Sequence, residues 1–343
     1  MRQMLSTLYV TQPLSYLARD GENIVVQVEG KEIGRIPIHN LENVLSFGYP
    51  GASPALMRLC AQNGVGLGFF DEHGRFLARI TGEQSGNVLL RRTQYRWADD
   101  AQKSADIARS VLVGKLSNSF AVIDRGIRDH GDRVDVQRLV DACQQLRALI
   151  KQLGQGANVD GLRGIEGKAS QVYFGALDPL ILANKDTFFM RNRSRRPPLD
   201  AFNALLSFLY AMLAHDVRSA LEGVGLDPYV GYLHRDRPGR ASLAMDLMEE
   251  LRPYLVDRLV LSLINRRQIA PKDVKPMESG AYYLQDEARR NVLKAYYERK
   301  QEEVMHPFLK ERIPIGLIAH AQATLLARYM RGDLDGYPPF AIR

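Results

Sequence analysis

His234 and two carboxylates on the segment that follows it, Asp246 and Glu249, are the residues best placed by type and spacing to bind a metal ion. His234 ends the run Gly231-Tyr232-Leu233-His234, ahead of a loop containing Arg237-Pro238-Gly239 and a helix expected to begin near Ala241. That helix carries Asp246, Glu249 and Glu250 among Leu243, Met245, Leu247, Met248 and Leu251. Asp246 and Glu249 stand three apart, so they share one helical face. Carboxylates on so apolar a helix are costly to bury unless paired or metal-bound, and His234 could fold back over the helix start to meet them. The same spacing also fits the wet face of an ordinary amphipathic helix.

A second acidic candidate is Glu166, in Gly161-Leu162-Arg163-Gly164-Ile165-Glu166-Gly167-Lys168. Its flanking glycines lower helix propensity, which close approach of a backbone or ligand would explain. A surface glutamate fits the same neighbours. The remaining histidines offer less. His73 and His130 sit in turn-forming sequence, His215 and His320 lie within helical patterns, His306 precedes Pro307, and His39 has no evident partner.

Four arginines, Arg191, Arg193, Arg195 and Arg196, crowd the residues before Pro197-Pro198. Guanidinium groups bind phosphates bidentately, so this run could hold a DNA backbone without reading its sequence. A solvated basic loop is the plainer alternative. Arg237, Arg240 and Lys168 lie near the candidate ligands in sequence and are further phosphate contacts to consider.

The charge distribution supports an anionic partner for one part of the chain. Of 46 Lys and Arg, 7 fall in the first 90 residues, beside 8 of the 39 Asp and Glu, so the basic surplus belongs to the remainder. A composition of 45% hydrophobic and 25% charged residues excludes a disordered or fibrous protein. Cys60 and Cys143 form no CxxC pair, which argues against a thiolate zinc site or a disulfide framework and fits a cytoplasmic setting. The first 20 residues lack a signal-like apolar core, and the most apolar later stretch, 255–264, is short and holds Asp257 and Arg258, so no membrane span is expected.

Two kinds of element must position these residues. Strands are expected at 7–12, 23–28, 32–38, 65–70 and 75–80, with a helix over 53–62. From about residue 86 the apolar period becomes helical, over 110–128, 135–152, 199–221, 241–264, 285–305 and 315–330. The expectation is an α+β chain: a β-rich, sandwich-like domain over 1–85, then a larger all-α domain over 86–343 that contains every candidate site residue.

Taken together, these segments resemble the first, universal Cas protein of CRISPR spacer acquisition. The matching stretches are Gly164-Ile165-Glu166-Gly167 with Tyr173-Phe174, then Arg196-Pro197-Pro198 leading to Asn203-Ala204-Leu205-Leu206-Ser207-Phe208 and Tyr210. Gly231-Tyr232-Leu233-His234 and the run from Ser242 to Glu249 with Arg252-Pro253 come next in the same order. The resemblance covers nearly the whole chain, and its length and general look are similar to the I-C subtype. It implies a DNA integrase and endonuclease that inserts spacers by attack of a 3′-hydroxyl on the repeat phosphodiester, or that cuts when water attacks. It implies Glu166, His234 and Glu249 as ligands of Mg²⁺ or Mn²⁺, with Asp246 as an auxiliary catalytic acid. It further implies a homodimer built through the N-terminal domain, and a heterohexameric complex with the small ferredoxin-like second Cas protein. Its DNA would be duplex and branched, as prespacer and CRISPR repeat. Two other readings remain: a stand-alone structure-specific nuclease in repair, and a non-catalytic basic scaffold for DNA.

Overall fold

The computed structural model describes residues 6–12, 14–71, 76–80, 88–154, 156 and 158–342. Most of the expected turn at 71–74, with His73, lies outside the described residues. The chain divides into two compact units. One comprises residues 1–85 with 289–298, and the other comprises residues 86–288 with 299–343.

The first unit is built from β1 (Ser6–Val10), β2 (Ser15–Asp20), β3 (Asn23–Val28), β4 (Lys31–Pro37), β5 (Leu41–Phe47), helix α1 (Pro54–Gln62), β6 (Gly66–Phe70) and β7 (Phe76–Ile80). One sheet has the order β1-β5-β6-β7, with β5 parallel to both neighbours and β7 antiparallel to β6. The other is an antiparallel meander, β2-β3-β4. Leu17, Ile24 and Val26 from the meander join Val10, Val44 and Leu67 from the larger sheet and Leu56 and Leu59 of α1 in one core. Strands β2 and β5 escape the sequence patterns. Polar Asn43 and Ser46 are buried in β5, so its apolar signal is broken although it pairs on both sides.

The second unit runs through α2 (Val88–Asp99), α3 (Ala101–His130), α4 (Val136–Leu153), α5 (Val159–Leu177), α6 (Ala201–Gly223), α7 (Ser242–Glu249) and α8 (Arg258–Asn265). The chain continues with β8 (Val274–Pro276), β9 (Tyr282–Leu284), α9 (Asp286–Gln301, whose residues 289–298 belong to the first unit), β10 (Glu303–Met305), β11 (Arg312–Pro314) and α10 (Ile318–Met330). Two short antiparallel ribbons, β8-β9 and β10-β11, thus interrupt an otherwise helical unit. The helix expected over 241–264 is two helices joined by a π-helical turn at Arg252–Asp257. Pro253 has no N–H to donate and cannot continue the ordinary ladder, so the break falls directly after Glu249. The helix expected over 285–305 ends at Gln301, where the chain enters β10.

Helix α3 is the longest element and packs against α4, α5 and α7, while α6 packs against α7 and α10. Asp100, Asn158 and Asp200 cap α3, α5 and α6 through their side chains, fixing where each helix starts. This packing brings the faces of α3, α5 and α7 that carry charged side chains toward one another. No helix among the described residues is long and apolar enough to cross a membrane. Cys60 and Cys143 are buried free thiols, and burial pushes each up to about 11.

Candidate active site

The approach of the 231–234 segment to α7 depends on Gly231. A Cβ there would lie 2.7 Å from Ser242 Cβ and 2.9 Å from Asp246 Oδ2, so only glycine lets the strand of chain lie across the helix start. Asp246, 1% exposed, then gathers the segment. Its Oδ2 accepts from the backbone N–H groups of Tyr232 (2.6 Å) and Leu233 (3.0 Å). Its Oδ1 accepts from the N–H of His234 (2.9 Å) and faces His234 Nδ1 at 2.6 Å. Nδ1 is therefore the ring nitrogen turned to Asp246, and Nε2 is the one turned away from it. Nε2 points at Glu249, 4.0 Å from Oε1. From α5, Arg163 Nε donates to the Leu233 carbonyl at 2.6 Å and ties the segment to the helix bearing Glu166.

Glu249 is 2% exposed and lies between two cations. Arg252 donates to Oε1, and Lys115 Nζ lies 2.9 Å from Oε2. The lysine is close enough for an ion pair but off the line of a hydrogen bond, so Oε2 has no well-aligned donor. Burial alone would raise the Glu249 carboxyl, but the Arg252 and Lys115 cations beside it bring it down to about 2. Glu166 is joined to the same lysine, which donates to its Oε1, and Ser170 Oγ donates to that oxygen at 2.9 Å. Burial and the nearby Glu249 charge act to raise Glu166, yet Lys115 holds it below the usual carboxylate range.

Glu166, Glu249 and His234 are therefore linked in one cluster, with Lys115 between the carboxylates and Asp246 behind the imidazole. The donor set, two carboxylates and an imidazole, suits a hard divalent ion. The under-donated Oε2 of a fully buried Glu249 is the local feature such an ion would satisfy. Among the described residues, however, no three His, Cys, Asp or Glu side chains close around one point as a metal cage. Asp246 spends its oxygens on three amides and the imidazole, which makes it the residue that positions His234.

A family model described as CRISPR associated protein Cas1 matches residues 8–298. The chain belongs to the Cas1 family. It is 48% identical over 343 residues to CRISPR-associated endonuclease Cas1 1 of Chlorobaculum tepidum, covering all of both chains. It is 51% identical over 344 residues to CRISPR-associated endonuclease Cas1 2 of Rhodospirillum rubrum, covering 99% of each. Its fold is similar to that of a solved Cas1 protein from Thermotoga maritima, with TM-score 0.82 at 24% identity, covering 96% of this chain and 97% of that one. The strand-rich region followed by a helical one is thus the layout of a Cas1 fold.

The basic residues of this Cas1 chain divide into two groups. Arg191, Arg195, Arg196, Arg237 and Lys168 are exposed. Arg193 instead turns inward: it donates to Asn203 Oδ1 at 2.7 Å and to Ser207 Oγ at 3.2 Å, and lies 5.3 Å from the Tyr210 ring centroid. Burial holds its guanidinium below the ordinary arginine value. Arg240 clips its own loop, donating to the Arg235 carbonyl.

Three contributors carry no local sequence signal. Lys115 stands in a long helix with nothing beside it to mark it. Its neighbour Gly114 makes room for Glu250 and the C-terminal segment, because a Cβ there would lie 2.9 Å from Glu250 Cγ and 3.2 Å from Pro339 Cβ. Glu250 faces away from Glu249 and holds the C-terminal segment, accepting from Phe340 N–H and Tyr337 OH, each at 2.7 Å, and from Gln322 Nε2 at 2.9 Å. Asp257, in the π-helical turn, accepts from Tyr173 OH (2.8 Å) and Tyr210 OH (2.6 Å), and burial raises it to about 6.

Proposed function

We propose that this chain is a metal-dependent DNA endonuclease and integrase of CRISPR spacer acquisition, with Glu166, His234 and Glu249 holding Mg²⁺ or Mn²⁺. One observation carries the reading in a member of the Cas1 family. Asp246 fixes the His234 ring so that Nε2 faces a buried, ionised Glu249. Carboxylate-to-histidine bonding of this kind orients and strengthens an imidazole ligand. A bound divalent ion would polarise the scissile phosphate and activate the attacking oxygen, a DNA 3′-hydroxyl in joining or water in cutting.

The chain's own residues then do the rest. Asp246 keeps the imidazole in the tautomer that leaves Nε2 free. Arg252 keeps Glu249 anionic and in place. The exposed Arg191, Arg195, Arg196 and Arg237, with Lys168, supply sequence-independent contacts to the DNA backbone. Duplex and branched DNA are the substrates, and the small ferredoxin-like second Cas protein is the partner. A homodimer formed through residues 1–85 would be the unit that enters a heterohexamer with it.

The test is incubation of the purified protein, with and without that partner, with short duplex DNA and a repeat-bearing plasmid in Mn²⁺ or EDTA. Joining or cutting should require Mn²⁺ and should be lost in Glu166→Ala and His234→Ala. Wild-type rates in either variant would instead make the chain a DNA scaffold whose chemistry lies elsewhere.

A further inference from the structure

Lys115 is buried at 7% exposure in the middle of α3, and its ammonium group has three partners. It donates to Glu166 Oε1 and, at 2.9 Å, to Ser170 Oγ, and it lies 2.9 Å from Glu249 Oε2. Glu166 and Glu249 are the two carboxylates proposed as metal ligands, and a role for Lys115 in metal binding rests on that proposal. A divalent ion held by both Glu166 and Glu249 would have to draw on the carboxylate oxygens that now face Lys115. The ammonium group holds the space beside those oxygens. Two cations cannot share it, because each repels the other at close range where little water screens them.

We propose that Lys115 is a tethered competitor for the metal, a positioning residue that holds Glu166 and Glu249 together and must leave them when the divalent ion binds. The geometry around it is suited to such a yield. Glu249 keeps Arg252 as a second cation, so it stays neutralised when the lysine departs. Glu166 keeps the Ser170 hydroxyl as a donor. The lysine is misaligned toward Glu249 Oε2, so the contact it gives up there is an ion pair without a good hydrogen bond. The competition would keep the site closed to ions at low concentration and open it only where the divalent ion is abundant.

Two measurements test this on the full chain. The first is calorimetric titration with Mn²⁺ of wild type, Lys115→Met and Lys115→Gln, each checked for its fold by circular dichroism. If the lysine occupies the carboxylates in about nine molecules of ten, removing it lowers the apparent Mn²⁺ Kd about tenfold. The second uses wild type alone: acetic anhydride labelling of each lysine, read by mass spectrometry, with exposed Lys168 as the internal reference. Labelling of Lys115 should accelerate on adding Mn²⁺ while Lys168 stays unchanged. A Kd that is unchanged or higher in both variants overturns the proposal. So does a lower Kd with no change in Lys115 labelling, which would mark a simple charge effect without displacement. Absence of Mn²⁺ binding in wild type and both variants would overturn the metal assignment itself, and the competition with it.

Discussion

Asp246→Asn is the substitution that separates a positioning carboxylate from a ligand. Asp246 receives four donors, two on each oxygen: Tyr232 and Leu233 N–H on Oδ2, His234 N–H and Nδ1 on Oδ1. An amide keeps one oxygen and turns the other into a donor. With the NH₂ at the Oδ2 position two backbone N–H groups face it; at the Oδ1 position the His234 N–H faces it and the imidazole must shift its hydrogen to Nε2, all in a site that is 1% exposed. Each buried donor left without an acceptor costs about 1–3 kcal/mol, so the less costly orientation loses about 2–3 kcal/mol of unfolding free energy and puts the imidazole in the wrong tautomer. That is a large share of the 5–15 kcal/mol that holds a typical domain together, yet it leaves a folded protein (about 5 kcal/mol or more remaining near the middle of that range). Urea unfolding monitored by circular dichroism reads this term. Metal-dependent cutting should fall about 10- to 100-fold as the imidazole loses its orienting partner, while DNA affinity stays close to wild type. A variant within about 1 kcal/mol of wild type in stability, and within about threefold in rate, would refute the clamp.

Gly231→Ala would push a methyl group into Ser242 and Asp246, at 2.7 Å and 2.9 Å; about 1–3 kcal/mol of stability should be lost, seen as a lower melting temperature. Arg193→Ala should cost about 2 kcal/mol, since it strips hydrogen bonds from Asn203 and Ser207 in a partly buried setting. Arg195→Ala and Arg196→Ala should instead leave stability within about 0.5 kcal/mol and lower the salt dependence of DNA binding by about one unit of slope each. Equal melting temperatures for all three would remove the distinction. Asp257, raised by burial from 3.8 to about 6, binds its proton more tightly in the folded than in the unfolded chain. Its contribution is therefore greatest below about pH 4 and is lost as pH rises through 6, a fall of about 3 kcal/mol. Asp257→Asn should flatten the urea midpoint between pH 4 and pH 7, and curves parallel to wild type would show that Asp257 does not titrate there.

How far such a site can be read from sequence depends on whether each residue's role is local. His234 and Asp246 are legible because the imidazole and its clamp lie within one loop and one helix turn, and the glycine that permits their contact precedes His234 by three residues. Glu166 is half legible. Glycines flank it, but Gly164 and Gly167 have open space where a Cβ would be, so close packing is not their reason. The break after Glu249 is signalled by Pro253, yet the strong apolar period on both sides masks it and extends the expected helix through the turn. Strand β5 fails for the complementary reason: its pairing on both edges supplies what its polar side chains lack. Lys115 is the extreme case. Nothing within a turn of it is acidic, and both of its carboxylates come from helices more than 50 residues away in the chain, Glu166 by 51 positions. A buried lysine within an apolar helix face is improbable unless anions meet it there. Their identity appears only when α3, α5 and α7 pack. The same packing that hides the lysine from the sequence sets its ammonium group between Glu166 and Glu249, where the proposed competition with a divalent ion would take place.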